Sequence, residues 1–306
     1  MGADGAWVIG RGLLGRAVER ERGTSAAARP IRWGDPDSSV IDLRTHATAL
    51  ARREGPLEIY WCAGRGVTST PREQLDLEVD VFRRALEVFA DVLQGRDVRV
   101  FLSSSVGGAY ALAPYPPFTE ETPVAPGSSY GVAKLAMEQE LAAFARQTGW
   151  RTFVGRITNL YGPGQDMAKG QGLVSVITDS YVTGHPVSLY VSLDTLRDYI
   201  YEDDCARVIV AGMRRLSSEP AGSSITKIIG AMSAVSIGAL LGEATRLRRQ
   251  RSRITLGQGR AGGQSSDLRV RSVVWPELDA LVRTTLPEGL DKVFRARLAA
   301  QGNGRR

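Results

Sequence analysis

The sequence predicts an α/β fold in which a doubly wound parallel sheet carries helices on both faces and a smaller C-terminal lobe completes the protein. Two observations support this prediction. In the first half of the chain, short apolar runs alternate with stretches whose apolar residues recur at helical spacing. After Gly162 the alternation loosens, and glycine and proline interrupt residues 161–172. Alternating strands and helices form a parallel sheet whose ligand site lies at the carboxyl ends of the strands.

Apolar periodicity and the residues that end each run locate the individual elements. The predicted strands are Ala6–Ile9, 31–33, 57–63, 98–102 and Arg151–Ile157, the second of them weak. The predicted helices are Leu13–Arg22, 82–93 and 130–148. Gly95 follows the second helix and Gly149 follows the third, and glycine commonly ends a helix in this way.

Composition excludes several classes of protein. The 306 residues are 43% hydrophobic and 24% charged, which is typical of a soluble globular protein. The most apolar stretch, 225–241, is interrupted by polar residues such as Lys227, so it predicts a strand, a turn and a helix instead of a membrane span. The N-terminus has no basic lead before a long apolar region, so no secretory signal is expected. The sequence has only two cysteines, which predicts a reducing cytoplasm.

The formal charge of +6 does not by itself indicate a nucleic-acid partner. The arginines are scattered, and the densest run, at 246–253, is predicted to be a solvated helix end. The two histidines, His46 and His185, are far apart and no cluster of cysteine or acidic residues accompanies them. No nucleic-acid partner and no metal site are therefore expected.

A glycine-rich loop, GRGLLG at 10–15, lies between the first predicted strand and the first predicted helix. Its glycines permit a tight turn and let backbone N–H groups approach a pyrophosphate at the helix N-terminus. In this strand–turn–helix context the motif predicts a dinucleotide-binding loop. Its residues are Gly10, Arg11, Gly12, Leu13, Leu14 and Gly15.

Two arginines favour NADP as the cofactor. Arg32 lies in the weak second strand and Arg11 lies in the loop itself, so both are expected near a 2′-phosphate. Asp35, slightly beyond that strand, is the counter-argument, because an acidic residue there accepts hydrogen bonds from the ribose of NAD. NAD is therefore the alternative cofactor.

A catalytic site is predicted by YGVAK at 130–134, preceded by FLSSS at 101–105. Tyr130 and Lys134 are four residues apart and share one face of a helix. A free tyrosine, with a pKa of about 10, is a poor base at neutral pH, and a nearby ammonium group favours the phenolate. Ser105, at the end of a strand, is placed to hold the substrate oxygen. Tyr130 is thus the predicted acid/base.

Together with the glycine loop, these motifs resemble the extended branch of the short-chain dehydrogenase/reductases, which includes sugar-nucleotide epimerases, dehydratases and reductases. The resemblance covers nearly the whole chain. It also rests on WCAG at 61–64, ETPVAPGSSYG at 121–131, RITNLYGPG at 156–164, RDYIYEDD at 197–204 and PEGL at 287–290.

The resemblance implies a Rossmann fold and several residue roles. Ser105, Tyr130 and Lys134 are implied as the catalytic triad, and Lys134 also as a contact to the nicotinamide ribose. Asn159 and Arg197 are implied as contacts to a substrate diphosphate, with Ser105 also touching the substrate. A homodimer is implied through the helices at 82–93 and 130–148. The full set of expected cofactor contacts adds Arg32, Asp35, Cys62, Ala63, Gly64, Ser103, Tyr130 and Lys134 to the glycine loop.

The pattern of elements and the family resemblance also predict the domain boundaries. A dinucleotide-binding domain is predicted at 1–165 and is completed by about 188–230. Residues 166–187 and 231–306 are predicted to form the substrate-binding lobe.

The chain departs from the family pattern directly after Ser105. Residues 106–108 are VGG, where the sugar-nucleotide 4,6-dehydratases carry an Asp-Glu pair, and the expected aromatic residue is displaced to Tyr110. Without that pair, no acid is evident to expel a hydroxyl and no base for the adjacent carbon. Dehydration is therefore not predicted. The first interval of the glycine loop is also shorter than is usual in this branch.

Three functions are compatible with these motifs. The leading hypothesis is a reductase that delivers hydride from NADPH to a keto group of a nucleotide-activated sugar, with Tyr130 supplying the proton. The alternative is an NAD-dependent sugar-nucleotide epimerase, which uses the same residues. A non-catalytic cofactor-sensing Rossmann protein is a third reading, but it has no need of serine, tyrosine and lysine together.

Overall fold

The computed structural model describes residues 5–24, 30–166, 172–250, 254–257 and 265–303. Its strands are β1 (Ala6–Ile9), β2 (Leu57–Trp61), β3 (Val98–Ser105), β4 (Arg151–Ile157), β5 (Asn159–Tyr161), β6 (Val187–Leu189), β7 (Leu196–Arg197), β8 (Tyr199–Tyr201), β9 (Ser224–Ile229), β10 (Val235–Ser236) and β11 (Ile254–Leu256). Its α-helices are α1 (Leu13–Arg22), α2 (Pro36–Ala51), α3 (Arg72–Val92), α4 (Val106–Tyr110), α5 (Ser129–Thr148), α6 (Leu173–Thr183), α7 (Glu202–Arg215), α8 (Ile237–Arg248) and α9 (Leu286–Asn303). Short 3₁₀ helices span Leu216–Ser218 and Pro276–Leu281.

The central sheet has the strand order β1-β2-β3-β4-β9, and every neighbouring pair is parallel. In this register Ile9 lies beside Trp61 and Trp61 beside Leu102, so the carboxyl ends of the strands meet at one edge. A ligand site is expected at that edge. The predicted α/β fold class is confirmed.

Neighbouring residues of one strand are buried against helices on opposite faces of the sheet. Val8 and Tyr60 pack with α1 and α7. Ile9 and Ile59 pack with α2, α3 and α5. Because side chains alternate along a strand, strands that are apolar throughout are buried on both faces. The sheet is therefore the middle of three layers.

The predicted second strand is wrong, because residues 31–33 form no strand. Side chains of α2 bind the backbone of Arg32 in place of a neighbouring strand. Its N–H donates to the Asp42 carboxylate at 3.0 Å, and its carbonyl accepts from the Ser39 hydroxyl at 2.8 Å. Asp35 then serves as the N-cap of α2. Residues 31–35 therefore lead into α2 and cap its N-terminus instead of forming a strand.

The other predicted elements are confirmed, β1, α1 and β4 with the predicted bounds and the rest with shifted ends. β2 ends at Trp61, and α3 begins earlier than predicted, at Arg72. β3 continues past the apolar run through three serines, because residues 155–157 of β4 pair with them. This extension carries Ser105 to the edge of the sheet where the carboxyl ends meet.

Helices α6, α8 and α9, which follow Gly162, build a second, smaller core. Apolar residues of α6, α8 and α9 pack against the aromatic side chains of Tyr161, Tyr199 and Tyr201. Three two-stranded pairings, β5 with β8, β6 with β11 and β7 with β10, accompany this core. The boundaries of the substrate-binding lobe stay a prediction. Among the described residues, no helix has the length and apolarity that crossing a membrane requires.

Candidate active site

The glycine loop requires glycine at two positions for different steric reasons. Gly10 has a φ of +92°, and a Cβ there would collide with the backbone of Ala63, just after β2. A Cβ on Gly15 would collide with the carbonyl oxygen of Gly10. These contacts fold the loop tightly between β1 and α1. Gly12 begins α1 without a side-chain cap, and a Cβ there would meet no atom of the described residues within 4 Å.

A cavity of about 670 Å³ lies at the carboxyl ends of strands β1 to β4. Residues 11–14, 62–66, 103–105 and 157–161 contribute to its wall. The predicted site residues that line it are Arg11, Gly12, Leu13, Leu14, Cys62, Ala63, Gly64, Ser103, Ser105, Tyr130, Lys134, Asn159 and Arg197. Gly10, Gly15, Arg32 and Asp35 are not among its lining residues.

Ser105 and Tyr130 meet across Gly108. A Cβ at Gly108 would stand 3.4 Å from the Ser105 Cβ and 3.6 Å from Cε1 of Tyr130, so the two side chains flank the same small residue. Ser105 ends β3 and caps α4, accepting a hydrogen bond from the Gly108 N–H at 3.1 Å. Tyr130 lies in the first turn of α5, which Ser128 caps. The N-termini of α4 and α5 thus place the Ser105 hydroxyl and the Tyr130 phenol at one cavity.

Lys134 is buried beside Tyr130, one turn further along α5. Its Nζ donates to the Ser103 carbonyl at 3.2 Å and lies 5.9 Å from the centroid of the Tyr130 ring. A Cβ at Gly64 would stand 3.4 Å from that Nζ, so glycine leaves room for the ammonium group. The structure brings all three predicted catalytic residues to the same cavity.

The residues predicted to select the cofactor are engaged within the protein. The Arg32 guanidinium binds both oxygens of Asp42, at 2.9 and 2.8 Å. Hydrogen bonds from the Arg32 side chain and N–H lower the pKa of Asp42 to about 2. Arg11 pairs with Glu19 at 3.0 Å. Asp35 accepts a hydrogen bond from a backbone N–H of α2. Their role at the adenosine ribose stays a prediction.

Arg197 is 7% exposed and lines the cavity. No ion pair joins it to a carboxylate among the described residues, although the charge of Asp267, which is paired with Arg269, acts on it. The Arg197 guanidinium donates to the carbonyls of Leu196 and Ser265, at 2.9 and 2.7 Å. Burial lowers the pKa of Arg197. Asn159 lines the same cavity, and its side-chain amide donates to the Asp198 carbonyl at 2.8 Å. The wall beside β5 and β7 therefore offers a buried cation to a ligand.

Sequence reasoning missed several residues of the wall. Arg65 directly follows the predicted Cys62–Gly64 segment, and Arg16 lies one turn into α1. Extending each motif by one position on its C-terminal side finds both. The wall as described holds five cations (Arg11, Arg16, Arg65, Lys134 and Arg197) and one carboxylate, Asp166. This excess of positive charge suits anionic ligands.

Cys62 and His46, which are outside this set, are engaged in packing. Burial raises the pKa of the Cys62 thiol well above its usual range, which disfavours the thiolate that a nucleophile needs. His46 packs against the ring of Trp7. Within the described part of the chain, no group of histidine, cysteine and acidic residues is arranged to hold a metal ion.

Known proteins share this fold. MoeE5, solved in complex with UDP-glucuronic acid and NAD, aligns with a TM-score of 0.79 at 23% identity, over 97% of this chain and 99% of that one. RMD from Pseudomonas aeruginosa, solved with NADPH, aligns with a TM-score of 0.76 at 19% identity, over 96% and 99% of the two chains. At such identities the comparison establishes the fold alone.

Sequence comparison identifies the family. The dTDP-4-dehydro-6-deoxyglucose reductase of Escherichia coli is 27% identical over 143 residues, which are 45% of this chain and 45% of that protein. The match therefore spans less than half the length of that relative. Residues 13–226 match the model of the NAD dependent epimerase/dehydratase family. Since this match covers well over half of the chain, the protein belongs to the NAD dependent epimerase/dehydratase family of enzymes.

Proposed function

We propose that the protein is an NAD(P)-dependent oxidoreductase that reduces a keto group of a nucleotide-activated sugar. The observation that carries this proposal is the convergence of Ser105, Tyr130 and Lys134 on one cavity that the glycine loop also lines. The similarity to an E. coli protein named dTDP-4-dehydro-6-deoxyglucose reductase supports a keto sugar as the substrate.

The residues of the glycine loop fit the pyrophosphate of a dinucleotide. The space around Gly12 is open, and α1 begins there with backbone N–H groups that no side chain caps. Uncapped N–H groups at a helix N-terminus bind phosphate groups, which the helix dipole also favours. When bound, the nicotinamide supplies the hydride of the reaction.

Proton transfer is assigned to Tyr130. As the carbonyl carbon gains a hydride, the phenol gives its proton to the carbonyl oxygen, and the keto group becomes a secondary alcohol. The hydroxyl of Ser105 donates a hydrogen bond to the same oxygen and fixes its position. The ammonium of Lys134 stabilises the phenolate that remains until solvent reprotonates it.

The charge of the cavity indicates how the substrate is held. A buried arginine without a carboxylate is costly unless an anion accompanies it. Arg197 is buried, and the carboxylate whose charge acts on it, Asp267, is already paired with Arg269. Asn159 lies on the same wall. We assign Arg197 and Asn159 to the diphosphate of the sugar nucleotide. The neighbouring MoeE5 structure, which contains UDP-glucuronic acid, supports a ligand of this class.

An NAD-dependent epimerase is the second candidate, and one observation favours it. Arg11 and Arg32, the two cations that favoured NADP, are paired with Glu19 and Asp42. Their charge is already neutralised, which weakens the case for a 2′-phosphate. An epimerase uses the same residues in both directions, because the sugar carbon first loses a hydride to NAD and then regains it on the opposite face.

A turnover assay separates the candidates. The purified protein is incubated with NADPH or NADH and with UDP- or dTDP-linked 4-keto sugars, and in parallel with the 4-hydroxy sugars. A reductase consumes one reduced cofactor for each keto sugar. An epimerase interconverts the hydroxy sugars with no net change in nicotinamide absorbance. Cofactor binding without either reaction overturns the proposal and favours the cofactor sensor.

We also propose that the protein forms a homodimer through α3 and α5, as the family resemblance implies. These helices pack side by side and expose Leu77 and Val132, which are 52% and 54% accessible. Light scattering tests this proposal, and a monomer at micromolar concentration would contradict it.

A further inference from the structure

A buried ion pair lies behind the catalytic residues. Glu138 on α5 and Arg156 on β4 are each 8% exposed, and the Arg156 Nη2 lies 2.7 Å from Oε2 of Glu138. Nε of Arg156 also donates to the carboxylate, at 3.2 Å. The Ser104 hydroxyl donates to the other carboxylate oxygen, and Nη1 of Arg156 donates to the Tyr110 hydroxyl at 2.6 Å. These four residues form one hydrogen-bonded network.

The network connects the elements that carry the site. Ser104 stands on β3 between Ser103, whose carbonyl accepts from Lys134, and Ser105. Glu138 follows Lys134 by four residues, so both face β3 from successive turns of α5. Two successive residues of the strand are thus bonded to two successive turns of the helix.

Apolar packing alone does not fix that alignment. Met137 and Leu141 of α5 pack in the same core as Leu102 of β3, and such contacts hold the helix against the sheet. They are non-directional and tolerate a small axial slide of the helix. A two-pronged arginine–carboxylate pair fixes both distance and angle. Buried pairs of this kind contribute little net stability, so the benefit lies in geometry.

We propose that Glu138 and Arg156 are positioning residues that fix α5 against β3, so that Tyr130 and Lys134 stand in reacting geometry with Ser105. This inference rests on the proposed function, because it assigns the pair to the chemistry of Tyr130. Charged and titratable groups surround the ion pair and Tyr130. They are Lys134 on α5, Arg156 on β4, Tyr110 on α4, Glu78, which approaches Gly64 from α3, Glu120, whose charge acts on Tyr110, and Cys62, which interacts with Lys134.

The test compares Glu138→Gln with Glu140→Gln, the same change on the same helix at a residue outside the network. A misplacement of about 1 Å in an active site costs up to about a hundredfold in rate. We expect E138Q to lower kcat by at least about tenfold, while KM and the cofactor Kd change far less. E140Q should leave all three unchanged. Ser104→Ala, which removes one hydroxyl from the network, should lower kcat in the same direction and guards against misfolding of E138Q.

Charge gives a second readout, because the pH profile reports the net charge near Tyr130 whereas kcat reports the position of Tyr130. Glu138 lies two helical turns, about 12 Å, along α5 from Tyr130. In E138Q the charge of Arg156 at this place is unpaired and favours the phenolate. The alkaline fall of the reduction rate should therefore move to lower pH, by roughly half to one unit. In the double variant E138Q/R156M, which has no charge at this place, that fall should return to the position of the wild-type protein while kcat stays low.

The outcomes separate the two proposals. Ultraviolet titration of the phenol, as wild type minus Y130F, reports the charge effect without turnover. A shift in E138Q that reverses in the double variant supports the inference even if no sugar nucleotide reacts, and an inactive wild-type protein then rejects the proposed function alone. Wild-type kcat in both E138Q and S104A overturns the inference. A loss of unfolding free energy in E138Q without any change in the pH profile also overturns it.

Discussion

The ammonium group of Lys134 donates a hydrogen bond to the carbonyl of Ser103 and stands 5.9 Å from the centroid of the Tyr130 ring. One lysine thereby touches the strand that carries Ser105 and faces the phenol on its own helix. Because Lys134 is buried, its charge is little screened by water. The proposed acid therefore has a cation held at a fixed place beside it.

Replacing Tyr130 with phenylalanine removes the transferable proton and keeps the ring. We expect kcat for keto-sugar reduction to fall by at least about a hundredfold, the usual contribution of general acid catalysis. Cofactor affinity should stay nearly unchanged, and fluorescence titration measures it. A variant that keeps more than about a tenth of the rate would show that another group supplies the proton.

The signals for the proposed catalytic residues are local. Tyr130 and Lys134 are four apart, so helical periodicity places them on one face, and the strand end together with the family resemblance indicates Ser105. The absent second strand was not predictable in this way. Its backbone partners, Asp42 and Ser39, come from a later helix with a weak apolar pattern. The Glu138–Arg156 pair was missed for the same reason, since only the folded chain joins α5 to β4.

Replacing Gly10 or Gly12 of the glycine loop with alanine should have different effects. Gly10→Ala places a side chain at a φ of +92° against the backbone of Ala63. Such strain costs about 1–3 kcal/mol in the free energy of unfolding, which urea denaturation measures. In the part of the chain that the structure describes, the new methyl group of Gly12→Ala meets no atom within 4 Å and should cost at most about 1 kcal/mol. That methyl group does, however, enter the space assigned to the pyrophosphate.

We therefore expect G10A to lose stability and G12A to lose cofactor affinity. If G12A binds NAD and NADP as tightly as the wild-type protein, the pyrophosphate lies elsewhere.

Removing the Arg197 charge should lower the affinity of the protein for the substrate diphosphate. Arg197→Met keeps an unbranched side chain and removes the charge. Because a hydrogen bond to a charged group contributes about 1.5–3 kcal/mol, affinity for free UDP or dTDP should fall by about ten- to a hundredfold. Calorimetry measures this affinity, and Arg246→Met, at an exposed arginine paired with Glu243, is the matched control. If R197M loses stability but keeps nucleotide affinity, Arg197 serves only to brace the carbonyls of Leu196 and Ser265.

The Arg32–Asp42 pair should make stability depend on pH in one direction. The pKa of Asp42 is lowered to about 2, from 3.8, by hydrogen bonds from Arg32. A lowered carboxyl pKa contributes stability that is present above the unfolded value and is lost as the pH falls toward the folded value. The urea midpoint of Asp42→Asn should therefore lie below that of the wild-type protein by a constant amount at neutral pH. The difference should narrow below about pH 4.

In an R32A background the effect of D42N should lose this pH dependence. A gap between the wild-type protein and D42N that widens on acidification would contradict the assignment.

The same pair should govern cofactor choice. Nε and Nη2 of Arg32 donate hydrogen bonds to Asp42, and Arg11 is paired with Glu19. Neither cation is therefore free for a 2′-phosphate. We expect the wild-type protein to bind NADPH and NADH with similar affinity. Asp42→Asn releases the Arg32 charge, and one charge-assisted bond to the 2′-phosphate is worth about 1.5–3 kcal/mol. D42N should therefore prefer NADPH by at least about tenfold in calorimetric titration. The double variant R32A/D42N, which has no arginine to release, should show no preference.

If the wild-type protein already prefers NADPH by tenfold and R32A erases the preference, then Arg32 leaves Asp42 when the cofactor binds, and the reductase gains support over the epimerase.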